Sequence, residues 1–283
     1  MKHLAVLATL LAPVPALADI DPSNWDAVTT EAEGQTVFWN AWGGSTTTND
    51  FIAWVGDRVA EDYGVTLEHV KLTDTADAVT RVPSEKQAGE NDDGAIDMIW
   101  INGANFAAMK EADLLFGPYA EQLPNWAIVD TDGKSVQTDF TVPTEGFESP
   151  WAMAQVVFVH DTADMPDRLG SMQELLEWTQ ANPGRFSYPQ PPDFLGTTFL
   201  KQVLVDILPD PSVLAVPATD ENYDVVTASL WAYLDALTPN LWREGKAYPA
   251  TGPAMFALVA DGGRDLAMSF CRGAASTASA GAG

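Results

Sequence analysis

Cysteine is all but missing. The 283-residue chain carries one, Cys271, so no disulfide can close within it and the fold must be held by its core. Histidine is nearly as scarce, at three residues. Beyond His3 only His69 and His160 remain, on separate expected strands. There is no HExxH and no Cys/His cluster, so no metal site is expected. Positive charge is also short: 14 Lys and Arg stand against 40 Asp and Glu, a formal net charge of −26. Such a surface repels phosphate backbones and anionic membranes, and no nucleic-acid partner is expected. G-x-S-x-G is absent, which leaves no nucleophile elbow. Gly43-Gly44 lacks the G-x-G-x-x-G spacing of dinucleotide folds, and no cofactor is expected. Gly133-Lys134-Ser135 looks like the end of a P-loop, but Ile128 stands where the first glycine belongs. Asp130-x-Asp132-Gly133 puts its glycine too early for an EF-hand.

Forty acids make chance carboxylate pairs common. Glycoside hydrolysis needs two of them across a cleft, so a secreted hydrolase stands as an alternative on the residues alone.

Long apolar runs are confined to the start. Lys2 and His3 precede the apolar stretch Leu4 to Ala12, and Ala16-Leu17-Ala18 gives a small-x-small cleavage site before Asp19. Residues 1–18 read as a secretory signal peptide cleaved after Ala18. The stretch is shorter than the roughly 20 residues a membrane span needs. The mature chain is expected to be exported, for a bacterium to the periplasm.

The stretch that organises the rest is Thr36 to Asp50, TVFWNAWGGSTTTND. Val37, Phe38 and Trp39 favour strand; Gly43-Gly44 permits a sharp turn. Ser45 to Asn49 are N-cap types, and Phe51, Val55 and Val59 follow at helical spacing. Open parallel α/β sheets collect ligands beyond the carboxyl ends of their strands. A second strand–turn–helix junction follows: Ala95 to Ile101 as strand, then Asn102-Gly103-Ala104-Asn105 turning into a helix with Phe106 and Met109. Two such junctions in one parallel sheet open on the same edge.

Between them, Val65 to Leu72 alternates as a strand. Asp74 to Gly89 is helical in composition, with Pro83 expected to break or kink it. Val129 to Val136 reads as a hairpin turning at Asp132-Gly133. Trp151 to His160 reads as a strand, and the lobe boundary is set near residue 148. Beyond it, Ser171 and Glu174 form a capping box over the helix Met172 to Ala181. Arg185 to Tyr188 reads as a short strand, Pro189 to Gly196 as a loop, and helices follow at Thr197 to Leu208, Asp220 to Leu237 and Gly252 to Ala260. Leu266 to Phe270 reads as a final strand, and Gly273 to Gly283 as a small-residue tail with little to bury.

Ten tryptophans are spread through the chain. Most belong to cores, but Trp42 and Trp151 flank expected turns. An indole there suits stacking on a sugar, a heteroaromatic ring or an organic cation.

The segments VFWNAWGGS, IDMIWINGANFAAMKEA, WAMAQVVFVHD, NPGRFSYPQPP and LAMSF, behind a signal peptide, together resemble the extracellular solute-binding proteins, family 1, of ABC importers. They are most similar to a branch distantly like thiamine-, iron- and maltose-binding proteins. The resemblance covers about residues 34 to 270. It implies a two-lobed α/β fold of the type II periplasmic-binding kind, with residues 19–148 as lobe 1, 149–270 as an incomplete lobe 2 and 271–283 as a disordered tail. It implies a monomer that is no enzyme, holding a small-molecule solute between its lobes and delivering it to an inner-membrane permease. The implied ligand contacts are Asn40, Trp42, Gly43, Gly44, Ser45 and Thr46 in the first loop; Asn102, Gly103 and Asn105 in the second; Trp151 at the crossover; and Phe270 on the opposite wall. After LAMSF the family continues with further elements, where Cys271 onward stands here. A truncated, binding-incompetent copy is therefore a further alternative.

Overall fold

A computed structural model of the chain describes residues 20–90, 94–262 and 264–270. The expected signal peptide, Cys271 and the small-residue tail lie outside the described residues. The chain divides into two units between Pro150 and Trp151. Both are mixed α/β, as the resemblance implied.

In the first unit α1, Trp25–Ala32, opens with Asn24 capping Ala27 N–H at 3.2 Å. Its Trp25 meets Tyr63 edge to face at 6.1 Å. The sequence reads Asp19 to Glu33 as a polar leader packing on the first lobe; the structure makes part of it a helix. β1 (Thr36–Trp42), α2 (Thr46–Tyr63), β2 (Thr66–Leu72), α3 (Ala76–Ala88), β3 (Met98–Ile99) and α4 (Gly103–Glu111) then follow. The sheet has the order β2-β1-β3, with β1 parallel to both neighbours. β1 pairs with β2 along its whole length, from Thr36↔Thr66 to Trp42↔Leu72. Trp39, Ala41 and Ile52 form the buried cluster, with Leu67 and Trp100 packed on it.

Several expectations shift here. α2 turns Ile52 inward, with Val55, Gly56 and Val59 half-buried. Phe51 lies outside and stacks on Trp54 at 5.6 Å. Ile52, Val55 and Val59 are spaced i, i+3, i+7, so the buried stripe begins one residue later than the Phe51 spacing suggests. Pro83 does not divide its segment: α3 runs through it as one helix. Arg81 reaches across the proline to Glu85 at 2.6 Å, and Gly89 closes the helix in the left-handed region. The third strand shrinks to Met98–Ile99, because β1 pairs with it only at Trp39↔Met98 and Asn40↔Ile99. The hairpin expected at Val129 to Val136 is a turn without strands: Asp130 accepts Gly133 N–H at 2.8 Å. The paired hairpin lies further on, β4 (Thr138–Asp139) against β5 (Val142–Pro143).

In the second unit Trp151 to Val156 leads into β6 (Val157–His160), a strand shorter than expected. α5 (Met172–Ala181) has the expected box: Ser171 Oγ accepts Glu174 N–H at 3.1 Å. The Glu174 carboxylate reaches one residue further back than the usual box, to Gly170 N–H at 2.6 Å. α6 (Phe194–Ile207), α7 (Tyr223–Leu237), α8 (Gly252–Ala260) and β7 (Leu266–Ser269) complete the unit. β6 and β7 are antiparallel. The Arg185–Tyr188 strand reduces to a parallel bridge of Phe186 to Leu266, tied by the Arg185–Asp265 ion pair. The core is aromatic at its centre: Tyr188 stacks on Phe199 at 4.3 Å, and Phe186 lies 5.7 Å from Phe199. Tyr233 OH reaches into it to donate to Met172 O at 2.7 Å.

α6 begins at Phe194, earlier than expected, because Asp193 caps Leu195 and Gly196 N–H at 2.9 and 3.0 Å. A Cβ on Gly196 would lie 2.8 Å from the Pro189 carbonyl carbon and closer still to its oxygen. Gly196→Ala should therefore destabilise by about 1–3 kcal/mol, the usual cost of overpacking. That clash outweighs the gain of about 1 kcal/mol from helix propensity. Urea unfolding checks it; a variant as stable as the wild type would show that the Pro189 loop yields freely.

Candidate functional site

The carboxyl ends of β1, β2 and β3 share one edge of the first unit's sheet. At the end of β1 the chain turns through Gly43 and Gly44 into α2. Gly43 N–H donates to Leu72 O at 2.9 Å, and Asn49 Nδ2 reaches back to Gly43 O at 2.9 Å. Asn49 is thus a brace inside the turn as well as one of its polar residues, and its Oδ1 is buried with no hydrogen-bond partner among the described residues. Ser45 caps α2, its Oγ accepting Thr48 N–H at 3.3 Å. Trp42 is 36% exposed, and its indole lies over Gly44: a Cβ there would be 2.5 Å from Cε2. Glycine at 44 is what lets the ring lie flat on the turn. The ring meets Trp100 edge to face, centroids 6.5 Å apart and planes at 86°, a favourable aromatic geometry.

The second junction stands beside the first. Trp100 N–H donates to Asn40 O at 2.9 Å, and Thr75 Oγ1 donates to Trp100 O at 3.2 Å. Asn102 then occupies the N-cap position of α4 in extended conformation, without a side-chain cap bond. The cap comes from elsewhere: Gly103 N–H donates to Asp139 Oδ2, from the β4–β5 hairpin. Asp139 lies 36 residues away in sequence and carries no local signal that marks it. Asn49 and Thr75 also sit at this edge; both are ordinary N-cap types by sequence.

The first unit thus groups Trp42, Gly43, Gly44, Ser45 and Thr46 with Asn102, Gly103 and Asn105 at the ends of neighbouring parallel strands. Asn40 stands apart from them: it is 3% exposed inside β1, its amide 3.4 Å from Phe38 O. Trp151 and Phe270 belong to the second unit. There Phe270 follows β7, accepts Gln155 N–H at 3.2 Å and lies 5.3 Å from the Phe194 ring at the start of α6.

An acidic pair flanks α4. Burial and the charge of Asp139 push the Glu148 carboxyl up to about 8, against the opposing pull of Lys110. Lys110 itself pairs with Glu145 at 2.8 Å and donates to Pro143 O at 2.5 Å.

Comparison with known proteins gives the context. The family model described as bacterial extracellular solute-binding protein matches residues 54–282. Protein YnjB of Escherichia coli K12 is 46% identical over 270 residues, covering 95% of this chain and 69% of the relative. Among solved structures, an ABC transporter from Rhodopseudomonas palustris aligns at 16% identity with a TM-score of 0.45, over 83% of this chain and 63% of that one. The chain thus spans less than two thirds of that structure's length.

Two outcomes follow from the geometry. Gly44→Ala should displace the Trp42 indole, changing the near-ultraviolet circular dichroism of the Trp42–Trp100 pair while costing about 1 kcal/mol or less, because the ring can rotate away. An unchanged spectrum would mean that the indole does not rest on Gly44. Glu148 holds a proton in the folded state over a range in which the unfolded chain, with an ordinary value of 4.5, has released it. Its contribution to stability is therefore full below that ordinary value and lost as the pH rises through about 8. A Tm series against pH should fall across this window, and Glu148→Gln should flatten that fall; an identical slope in the variant would count against the assignment.

Proposed function

The chain belongs to the bacterial extracellular solute-binding proteins, and on that premise we propose that it is the periplasmic binding component of an ABC importer, capturing a small polar solute and delivering it to an inner-membrane permease. The observation that carries this is the pairing of two strand–turn–helix junctions on one edge of a parallel sheet. They bring the exposed Trp42 indole, the Gly43–Gly44 turn and the Asn102–Asn105 loop to one place. Backbone amides, hydroxyls and carboxamides there can orient a polar solute, and the indole offers a flat apolar face. Trp151 and Phe270 are proposed as contacts from the second unit. No helix among the described residues is long and apolar enough to cross a membrane.

A second proposal, hydrolysis by paired carboxylates, has one observation in its favour: the raised Glu148 carboxyl beside Asp139. A protonated acid near neutral pH is what a general acid needs. Against it, the Asp139 carboxylate is engaged by the Gly103 amide, and the family is generally non-enzymatic.

Native mass spectrometry of the protein recovered from its producing cells should detect a bound solute below the mass range of peptides. Trp42→Ala should weaken its binding about tenfold, the scale of one lost aromatic stack. Recovering no solute, together with no thermal shift across panels of sugars, organic cations and oxyanions, would overturn the binding role. Delivery is checked by uptake: cells lacking the gene should lose saturable import of the solute so identified.

A further inference from the structure

Positive charge is scarce in this chain, 14 Lys and Arg against 40 Asp and Glu, yet three arginines gather at one place on the second unit. Backbone bonds between three segments build that place. Trp242 N–H donates to Phe186 O at 2.8 Å, Gly184 N–H to Asn240 O at 2.8 Å, and Asp265 N–H to Arg185 O at 3.1 Å. They bring Arg185, Arg243 and Arg264 together. Two of the three share one ring: the guanidinium carbon of Arg243 lies 4.5 Å from the Trp242 ring centroid, and that of Arg264 5.1 Å.

We propose that Arg243 and Arg264, gathered on the Trp242 indole, form a binding site for a divalent oxyanion of the phosphate or sulfate class. The site uses none of the residues assigned above to the solute, so it stands or falls apart from the solute-binding role.

The pairing of Arg243 with the indole before it is imposed by the backbone. Consecutive side chains on a helix or strand point apart, so a residue does not ordinarily stack on its immediate predecessor. Here Arg243 and Glu244 stand at φ +52° and +60°, in the left-handed region that non-glycine residues occupy only where surrounding contacts impose it. Gly245 continues the turn at φ +68°. The turn folds the Arg243 guanidinium onto the ring that also carries a guanidinium from a segment 21 residues further on. Trp242 and Arg264 are half-buried and Arg243 is exposed, so the cluster is anchored in the fold and open to solvent.

The acids nearby have other partners. Asp265 is held by Arg185 through two bonds, Nε to Oδ2 at 2.7 Å and Nη2 to Oδ1. Glu244 pairs with Lys246, and Asp164 acts on Arg185. Among the described residues the Arg243 side chain makes neither a hydrogen bond nor an ion pair; its contact is the indole. Burial and the like charges of Arg185 and Arg243 hold the Arg264 guanidinium below its usual value, against the opposing pull of Asp265. Repulsion between neighbouring guanidiniums becomes attraction for an anion that joins them. Two guanidiniums match the charge of a dianion, and their planar forks match the geometry of an oxyanion. The indole holds the cations by their faces, which leaves their N–H edges to the ligand.

Calorimetric titration of the protein with inorganic phosphate tests the proposal, with sulfate and acetate alongside and chloride holding the ionic strength. Phosphate and sulfate should bind one per chain, at least about tenfold more tightly than acetate. Phosphate at ten times its Kd should raise Tm by about 3–6 °C. Arg243→Gly removes the charge and suits the left-handed backbone. It should keep the wild-type Tm in chloride or exceed it, yet bind phosphate at least about tenfold more weakly. Arg243→Lys, which keeps the charge and loses the fork, should fall between the two. Arg58→Ala is the control, since Arg58 pairs with Glu61 and Asp62 on the first unit; its phosphate response should equal that of the wild type. A phosphate response in Arg243→Gly as large as in the wild type would overturn the proposal, as would an equal loss in Arg58→Ala. Acetate binding as tightly as phosphate would overturn it too, as would a phosphate effect confined to concentrations above about 50 mM, where it acts as bulk salt.

Discussion

The short pairing of β1 with β3 is the constraint on which the first unit depends. It rests on two residue pairs, Trp39↔Met98 and Asn40↔Ile99, flanked by Asp97 N–H to Phe38 O at 3.2 Å and Trp100 N–H to Asn40 O at 2.9 Å. Those bonds set the Asn102 junction beside the Gly43–Gly44 turn. Without them the two loops, with Gly44 and Asn102 58 residues apart on the chain, would have no fixed relation. The Asp97 carboxylate adds a bond to Phe38 N–H at 2.7 Å, so the register is pinned at its far end by a charge-assisted contact. The β1–β2 pair runs the full strand and needs no such help. What positions the candidate site is therefore the weakest ladder in the sheet, supported by side chains.

The same economy governs the helix ends. Helices leave unmatched N–H groups at their starts, and these must find partners. Here side chains supply many of them: Ser45 for α2, Asp139 for α4, Asp193 for α6 and Thr251 for α8. Two of the four are carboxylates, drawn from a chain with 40 acids and few bases. An excess of acid that reads from composition as bulk solubility is, at these positions, structural. It favours the positive end of each helix dipole.

Most element types were legible in the sequence because they depend on local spacing. The strand–glycine–helix unit at Thr36, the Ser171–Glu174 box and the helix opening at Gly252 all sit where cap and turn chemistry puts them. Errors fall where a distant contact decides. Met98–Ile99 is short because its neighbour pairs with it at only two positions. Pro83 lies inside α3, which runs on to the left-handed Gly89 with the Arg81–Glu85 pair spanning the proline. The hairpin moved from Asp132-Gly133 to Phe140-Thr141, a turn whose Phe140 sits in the left-handed region that local propensity gives to glycine. At the candidate site, both loops could be read from their glycines and N-cap residues. Asp139, 36 residues beyond the amide it binds, could not, since nothing in the local pattern marks which of many acids returns to a helix end.

The two units are built on different balances. The second has a closed aromatic and aliphatic core, with Phe186, Phe199, Leu237 and Met268 fully buried. The first buries Trp39, Ala41 and Ile52 as its cluster and Phe106 and Met109 apart from it, a smaller apolar set, while Phe51, Trp54 and Ile128 stay 46%, 56% and 84% exposed. Apolar burial scales with area, so the first unit draws less stability from its core and relies more on ladder bonds, caps and ion pairs. Regions with few buried apolar contacts open locally at lower free energy. The edge that gathers Trp42 and Asn102 therefore lies on the softer unit, and the fastening of the β4–β5 hairpin to both ends of α4 limits that softness at the Asn102 junction.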